Sequence, residues 1–236
     1  MEFKESFIII QIMNKLFIIL ISLPLITAVN YNKAVIKLNS TNHVSVVGEI
    51  NDLVANNFIQ DIEKVKTYHI YMYISSSGGY VHSGQKIIQY MNYIKLTNHK
   101  IICIANMAFS MAFHIFQYCD LRLVHNFSKL MQHQLSLQIS DSIENLNNYI
   151  EMINKLNTNL IQIESKRLKL SEDDYRKKIS SDWWLYGNDI INKNCADFMI
   201  GGIGCEKELV VAKKILPNSD LKDLRLISKC PLIEEL

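Results

Sequence analysis

This sequence lacks the patterns of a metal or cofactor site. Its 5 cysteines form no Cys-x-x-Cys pair and do not alternate with histidine at metal-ligand spacing. The chain also carries no nucleotide-binding motif, so we expect neither a metal nor another cofactor. Cys103 and Cys119 lie in apolar runs and are predicted to be small buried hydrophobic side chains rather than a redox pair. Cys195, Cys205 and Cys230 could pair if the protein is secreted.

An excess of charge of one sign is missing as well. The 25 basic and 23 acidic residues are interspersed and leave a formal net charge of +2. A chain with such balanced charges has no electrostatic field that captures a polyanion. Nucleic acid is therefore not an expected partner. Hydrophobic residues make up 49% and charged residues 20% of the chain. These are the proportions of a globular protein, and 236 residues suffice for one packed domain with an extension.

The first 29 residues differ from the rest of the chain. Residues 7–29 are nearly all apolar, but Asn14 and Lys15 interrupt them. A lysine near the middle of a bilayer costs roughly 2.5 to 3.5 kcal/mol, which disfavours one straight span. From residue 13 onwards, a charged start, a short apolar middle and small residues at the end are typical of a secretory signal. We therefore predict that residues 1–29 are a signal peptide or a membrane anchor.

This prediction implies a cellular location for the protein. The protein is expected in the secretory pathway, or associated with a membrane through residues 7–29. The alternatives are an apolar arm that packs on a neighbouring subunit, and a cytoplasmic protein.

Strands and helices alternate through the middle of the chain. The β-branched run at residues 44–48 predicts a strand, after which Asn51 and Asp52 cap an amphipathic helix that reaches about Lys64. The same criteria predict strands at 68–74, 101–105, 121–124 and 129–132, and helices at 83–94, 110–118, 140–170, from 171 onwards and at 185–194. Such alternation predicts an α/β fold with a largely parallel sheet covered by helices.

The longest predicted helix covers residues 140–170. It contains no glycine or proline and repeats isoleucine or leucine at helical intervals. At 1.5 Å per residue, a helix of this size is about 45 Å long. Since a domain of this size needs no such length internally, part of the apolar face is expected to meet another subunit.

Three residues suggest acyl-transfer chemistry. Ser110, His133 and Asp182 occur in this order, each in a distinctive local frame. A serine hydroxyl is a poor nucleophile unless an imidazole takes its proton and a carboxylate holds the imidazole in the right tautomer. Without the other two, each residue would have an ordinary structural explanation. Ser110 and Asp182 would be helix caps, and His133 would be a core histidine. We interpret His114 as an ordinary core histidine.

Four short stretches match, in order and at similar spacings, the motifs of one family. They are Ile70–Val81 at a strand that ends in a glycine turn, Ala108–Ala112 around a nucleophilic serine, Met131–Gln134 around a catalytic histidine, and Ser181–Trp184 at an Arg-Asp-aromatic position. On these stretches, residues 44–200 resemble the proteolytic subunit of the Clp protease. The 49-residue interval from His133 to Asp182, filled by the long helix, is also what the resemblance leads us to expect.

The resemblance implies a fold and a set of site residues. The fold is an α/β fold of the Clp-protease and crotonase type, with repeated strand-strand-helix units and a long protruding helix. Ser110 corresponds to the nucleophile, His133 to the general base and Asp182 to the group that orients the imidazole. The backbone amides of Gly79 and Met111 correspond to the oxyanion hole.

It also implies domains, an activity and partners. Residues 30–200 are expected to form the peptidase domain and residues 201–236 a C-terminal extension. The implied protein is a serine endopeptidase that hydrolyses peptide bonds through an acyl-enzyme and acts on peptides or unfolded proteins. Its implied partners are further copies of itself, in a homo-oligomeric ring of two stacked heptamers, and an ATP-driven unfoldase of the AAA+ class.

Several positions depart from the family pattern. Ser77 replaces a proline, Ala112 a glycine and Leu135 a proline, while residues 136–139 replace the glycine-rich strand on which the family lays its substrate. Three alternatives therefore stay open. They are a non-catalytic assembly subunit of the same fold, a membrane-associated signal-peptide-degrading peptidase with a lysine base, and an enzyme of the acyl-CoA hydratase type.

Overall fold

The structure of the protein, a computed structural model, describes residues 34–210, 212–215 and 224–233. The predicted signal peptide or anchor at residues 1–29 lies outside the described residues. Within the described ranges, no helix combines the length and the apolar composition that a membrane span requires.

Strands and helices alternate along the described chain, and short strands follow near its end. The strands are β1 (Val35–Leu38), β2 (His43–Val47), β3 (His69–Ser76), β4 (Lys100–Phe109), β5 (Leu121–Gln132), β6 (Trp183–Tyr186), β7 (Phe198–Met199), β8 (Gly202–Cys205), β9 (Ala212–Ile215) and β10 (Leu224–Ile227). The helices are α1 (Asp52–Ile62), α2 (Val81–Leu96), α3 (Met111–Gln117), α4 (Ile143–Leu168), α5 (Glu172–Lys178), α6 (Asn188–Asn192) and α7 (Lys207–Val210).

A six-stranded sheet organises the fold. Its main order is β2-β3-β4-β5-β6, and β7 pairs with β5 beside this path. The strands β2 to β5 run parallel, while β6 runs antiparallel to β5. Parallel neighbours need crossover connections, which α1, α2 and α3 supply. The prediction of an α/β fold with a largely parallel sheet is confirmed.

The helix predictions between residues 51 and 178 are accurate within a few residues. Asn51 caps α1, because its side chain accepts a hydrogen bond from the amide of Val54. The long helix α4 has 26 residues and is shorter at both ends than the predicted 140–170. It ends at Lys169, whose φ of 60° lies in the left-handed region where helices commonly stop.

Two predicted strands, 121–124 and 129–132, are in fact the single strand β5. Both parts pair with β4, and the register shifts between them. Ser128 closes the gap: its buried hydroxyl donates to the carbonyl of Ala105 at 2.6 Å and accepts from the amide of His125 at 2.9 Å. The strand therefore continues through a bulge. In the sequence, this bulge looks like a break between two strands.

The predictions beyond residue 184 were less accurate. The predicted helix at 185–194 begins instead within β6, and only residues 188–192 are helical, because Gly187 at φ 54° turns the chain between them. The expected C-terminal extension contains strands in its described part. Of these, β8 pairs with β1 in parallel, and β9 pairs with β10 antiparallel.

Each face of the sheet carries its own apolar cluster. The larger cluster lies under the helices and includes Phe58, Ile87, Met91, Phe113 and Phe116. On the other face, alternate strand residues meet residues from β1, the chain after β7 and the C-terminal segment, namely Leu38, Tyr73, Ile104, Leu123, Ile200, Leu209 and Cys230. Both faces are thus covered, as a parallel sheet requires.

The cysteines match their predictions in part. Cys103 and Cys119 are buried, as expected, but they form a disulfide with each other. Of the other three, Cys205 and Cys230 pair, while Cys195 is a buried free thiol. Burial raises the pKa of Cys195 to about 12, so this thiol stays protonated and unreactive at neutral pH.

A partly buried ion pair holds β7 on β5. The guanidinium of Arg122, 3% exposed, donates to Asp197 at 2.7 Å from Nη2 and 3.2 Å from Nε, and the Arg122 amide adds a bond of 2.8 Å. Burial works to raise the pKa of Asp197, but the bonds and charge of Arg122 outweigh it and hold this pKa below its ordinary value.

We predict that Asp197→Asn lowers the free energy of unfolding by roughly 2 kcal/mol at pH 7, because Arg122 loses its charged partner. The pKa of Asp197 is depressed in the folded state, so the stabilisation is complete above the unfolded value of about 4 and disappears as the pH falls through the folded value. Urea unfolding from pH 7 to pH 3 measures this. Asp61→Asn, which breaks only an exposed pair with Lys64, is the control. A difference that stays constant down to pH 3 contradicts the prediction.

Candidate active site

Three neighbouring strands end at the same edge of the sheet. The registers of β3 on β4 and of β4 on β5 carry the carboxyl ends of these parallel strands to one level. The chain after β3 contains Gly79, the residue after β4 is Ser110, and the residue after β5 is His133. Open α/β sheets commonly bind their ligands at this edge.

Ser110 occupies a sharp turn between β4 and α3. Its φ of 52° and ψ of −119° are rare for a residue with a side chain and cost of order 1–3 kcal/mol. The amide of Ser110 donates to the carbonyl of Met131 at 2.9 Å, and its own carbonyl accepts from the amide of His114 at 3.1 Å. These bonds hold the strained turn, and such a strand-to-helix turn presents a nucleophilic side chain at the top of a sheet.

A glycine turn packs against Ser110. Gly78 and Gly79 have φ values of 96° and 148°. A Cβ atom on Gly78 would lie 2.8 Å from Cβ of Ser110, and one on Gly79 would lie 2.3 Å from the carbonyl oxygen of Ile50. Both positions therefore require glycine. The amide of Ile50 donates to the carbonyl of Gly78, and its carbonyl accepts from the amide of Tyr80. The amide of Gly79, beside Ser110, takes no part in these two hydrogen bonds.

A cavity of about 90 Å³ opens beside Ser110. The walls come from the glycine turn, from the start of α3, from the chain after β5 and from α4. The lining residues are Gly79, Val81, Ser110, Met111, His114, Gln132, His133, Gln134, Leu135, Ser136, Asn157, Leu160, Ile161, Glu164 and Ile179.

The structure brings together four of the five predicted site residues. Ser110, His133, Gly79 and Met111 all line this cavity, whereas Asp182 does not. Ser110 and His133 are both half-buried, and Asp182 is exposed. In the described part of the chain, no hydrogen bond joins the side chains of Ser110, His133 and Asp182 to one another.

The pairing of β5 with β6 stops one pair short of His133 and Asp182. The antiparallel register of β5 and β6 has Gln132 opposite Trp183 as its last pair. One further step of the same register sets His133 opposite Asp182. Directly opposed residues of an antiparallel pair have Cβ atoms about 4.5–5.5 Å apart. Extending the ladder by one pair would thus bring the carboxylate to the imidazole.

Sequence reasoning missed a buried polar group beneath the cavity. The carboxylate of Glu164 accepts hydrogen bonds from Nδ1 of His114 at 2.9 Å, from Nε2 of Gln132 at 2.8 Å and from the hydroxyl of Tyr175 at 2.5 Å. Burial, followed by the charge of Glu164, raises the pKa of Tyr175, so its hydroxyl remains a donor. The available signal was an acidic residue four positions after Leu160, on the apolar stripe of α4.

Comparison with known proteins confirms the resemblance to the Clp protease family. A sequence model of the Clp protease family matches residues 27–200. The ATP-dependent Clp protease proteolytic subunit of Borrelia garinii subsp. bavariensis is 27% identical over 158 residues, which are 65% of this chain and 81% of that protein.

We predict that Ser110→Gly is more stable than Ser110→Ala by about 1 kcal/mol. Glycine adopts the φ of Ser110 without strain, whereas alanine keeps the Cβ atom that makes this conformation costly. Urea unfolding of the two variants measures the difference. An unstrained turn would give the opposite order, because glycine then only adds freedom to the unfolded chain.

Proposed function

Since this chain belongs to the Clp protease family, we propose that it is a serine endopeptidase that hydrolyses peptide bonds through an acyl-enzyme on Ser110. The observation that carries this proposal is the shared cavity, which Ser110, His133, Gly79 and Met111 all line. The strained turn at Ser110 adds support, because strain of this kind concentrates at active sites.

In the proposed reaction, Nε2 of His133 takes the proton of the Ser110 hydroxyl as Oγ attacks the scissile carbonyl carbon. The amides of Gly79 and Met111 donate to the oxyanion of the tetrahedral intermediate. The intermediate collapses to the acyl-enzyme, and the leaving amine takes the proton from His133. A water molecule then attacks the carbonyl carbon of the acyl-enzyme while His133 takes its proton. His133 returns this proton to Oγ of Ser110 as the second product leaves.

Asp182 is proposed to orient His133. A carboxylate at Nδ1 of the imidazole selects the tautomer that leaves Nε2 free to accept a proton. The ladder between β5 and β6 supports this role, because its next pair is His133 with Asp182. In the proposal, the contact forms when the ladder closes by that pair.

Members of the Clp protease family form oligomeric rings and act on peptide substrates. We propose a homo-oligomeric ring for this chain as well. In support, the first half of α4 exposes apolar side chains, namely Ile143 at 73%, Ile150 at 44% and Met152 at 47%. The relative from Borrelia is named as ATP-dependent, which supports a further proposal that an ATP-driven unfoldase delivers the substrate. Membrane association through residues 7–29 stays a prediction.

A second candidate function is a non-catalytic subunit of the same ring. It is favoured by the missing hydrogen bonds among the side chains of Ser110, His133 and Asp182 in the described residues. A subunit of this kind would keep the fold and the interfaces and would not turn over peptides.

We predict that a fluorophosphonate probe labels the assembled protein at Ser110 and that the protein hydrolyses peptides. Ser110→Ala should abolish the labelling, because the probe bonds only to an activated hydroxyl, and Asp182→Asn should lower peptide turnover about 10⁴-fold. Mass spectrometry of the labelled peptide and steady-state kinetics measure these effects. Ser140→Ala, at an exposed serine outside the cavity, is the control.

Two results would redirect the proposal. A folded and assembled protein that takes up no label is the non-catalytic subunit. Full peptidase activity in His133→Ala would instead indicate a lysine base.

A further inference from the structure

We propose that Glu164 is a positioning residue, whose buried carboxylate fixes the backbone that carries His133 relative to Ser110. This inference rests on the proposed peptidase function. It concerns a cluster of four side chains, Glu164, His114, Gln132 and Tyr175, which we call the carboxylate cluster.

The carboxylate cluster is almost fully removed from solvent. Glu164 is 2% exposed, His114 3%, Gln132 7% and Tyr175 0%. Oε1 of Glu164 accepts from His114 and Gln132, and Oε2 accepts from Tyr175. Three donors from three different elements therefore point at a single carboxylate.

Each donor leads to a part of the candidate active site. His114 lies on the first turn of α3, where its amide donates to the carbonyl of Ser110 at 3.1 Å. Gln132 ends β5 directly before His133. Tyr175 lies on α5, which the chain leaves towards Asp182. The carboxylate of Glu164 thus ties together the three segments that carry the three candidate residues.

The contact through Gln132 is the most direct of the three. While Nε2 of Gln132 donates to Glu164 at 2.8 Å, its Oε1 accepts from the backbone amide of His133 at 3.1 Å. The carboxylate can only accept, so it determines which end of the Gln132 amide faces it. The opposite end must then be the oxygen, which holds the His133 backbone.

The cost of burying this group argues for a positional role. Removing a carboxylate from water is expensive, and apolar side chains of similar volume often stabilise a protein as well or better. A satisfied buried network, in contrast, restricts its members to one arrangement, because a donor inside the protein finds no other acceptor. Three members of the carboxylate cluster, Glu164, His114 and Gln132, also line the cavity beside Ser110, where an accurate arrangement matters most.

Glu164→Gln is the sharpest single test. An amide offers one acceptor oxygen instead of two and adds two donors of its own, so at least one of the three donors loses its acceptor. Since misplacing a catalytic group by about 1 Å can cost 10²-fold in rate, we expect kcat for a peptide substrate to fall about 10²-fold. KM should stay within about threefold, because the cavity walls remain.

Gln132→Leu gives an independent test of the same contact. It removes the acceptor of the His133 amide and leaves the other two donors on Glu164. We expect a similar loss in kcat. In the double variant, the two losses should add only in part, because both variants act on the contact between Glu164 and Gln132.

Asp197→Asn is the control, since it disturbs a partly buried ion pair away from the cavity. Circular dichroism and assembly size establish that each variant folds and assembles. The inference is overturned if kcat of Glu164→Gln falls no further than kcat of Asp197→Asn, or if the losses of the double variant simply add.

The rate of fluorophosphonate labelling separates this inference from the proposed function. If the unaltered protein is labelled and Glu164→Gln is labelled equally fast, the positioning role is wrong and the peptidase stands. If the unaltered protein takes up no label and hydrolyses no peptide, the proposed function is wrong and the positioning role is wrong with it.

Discussion

The common register of three parallel strands is the constraint on which the candidate site depends. Because β3, β4 and β5 end at one level, the residues that follow them meet at one edge, although they are far apart in the chain. Nothing local to Gly79, Ser110 or His133 would bring them together. The register is in turn held by alternate strand residues buried on both faces of the sheet, since a slip of one residue would exchange the two faces.

The site itself combines local strain with a buried charge. The turn at Ser110 has an unfavourable backbone conformation, and Gly78 packs so tightly against it that a single methyl group would collide. Beneath the turn, Glu164 is paired with three donors that reach it from α3, β5 and α5. Both features cost free energy and persist because the surrounding core is well packed. Ser110, His133, Gly79 and Met111 line the same cavity as Glu164.

Much of the fold follows from local patterns. The cap at Asn51, the helix α2 and the strands β3 and β4 were all predictable, because side-chain periodicity and capping are properties of neighbouring residues. The misses have a different origin. β5 looked like two strands because Ser128 bridges its bulge by bonding to a residue on another strand. The disulfide of Cys103 with Cys119 likewise depends on how β4 and the end of α3 pack. Four of the five candidate site residues line one cavity, and the role of each remains a prediction.

By itself, the sequence determined the α/β class, the order of the main strands and helices, and membership of a protease family, because hydrophobic periodicity and short motifs are written in consecutive residues. Only the tertiary structure decided the carboxylate cluster. The partners of Glu164 lie 50, 32 and 11 residues away, so no local pattern connects them. The tertiary structure alone also separated Asp182 from the cavity, since that separation depends on where the ladder between β5 and β6 ends. Contacts between distant segments are set by packing and burial, which a linear pattern does not contain.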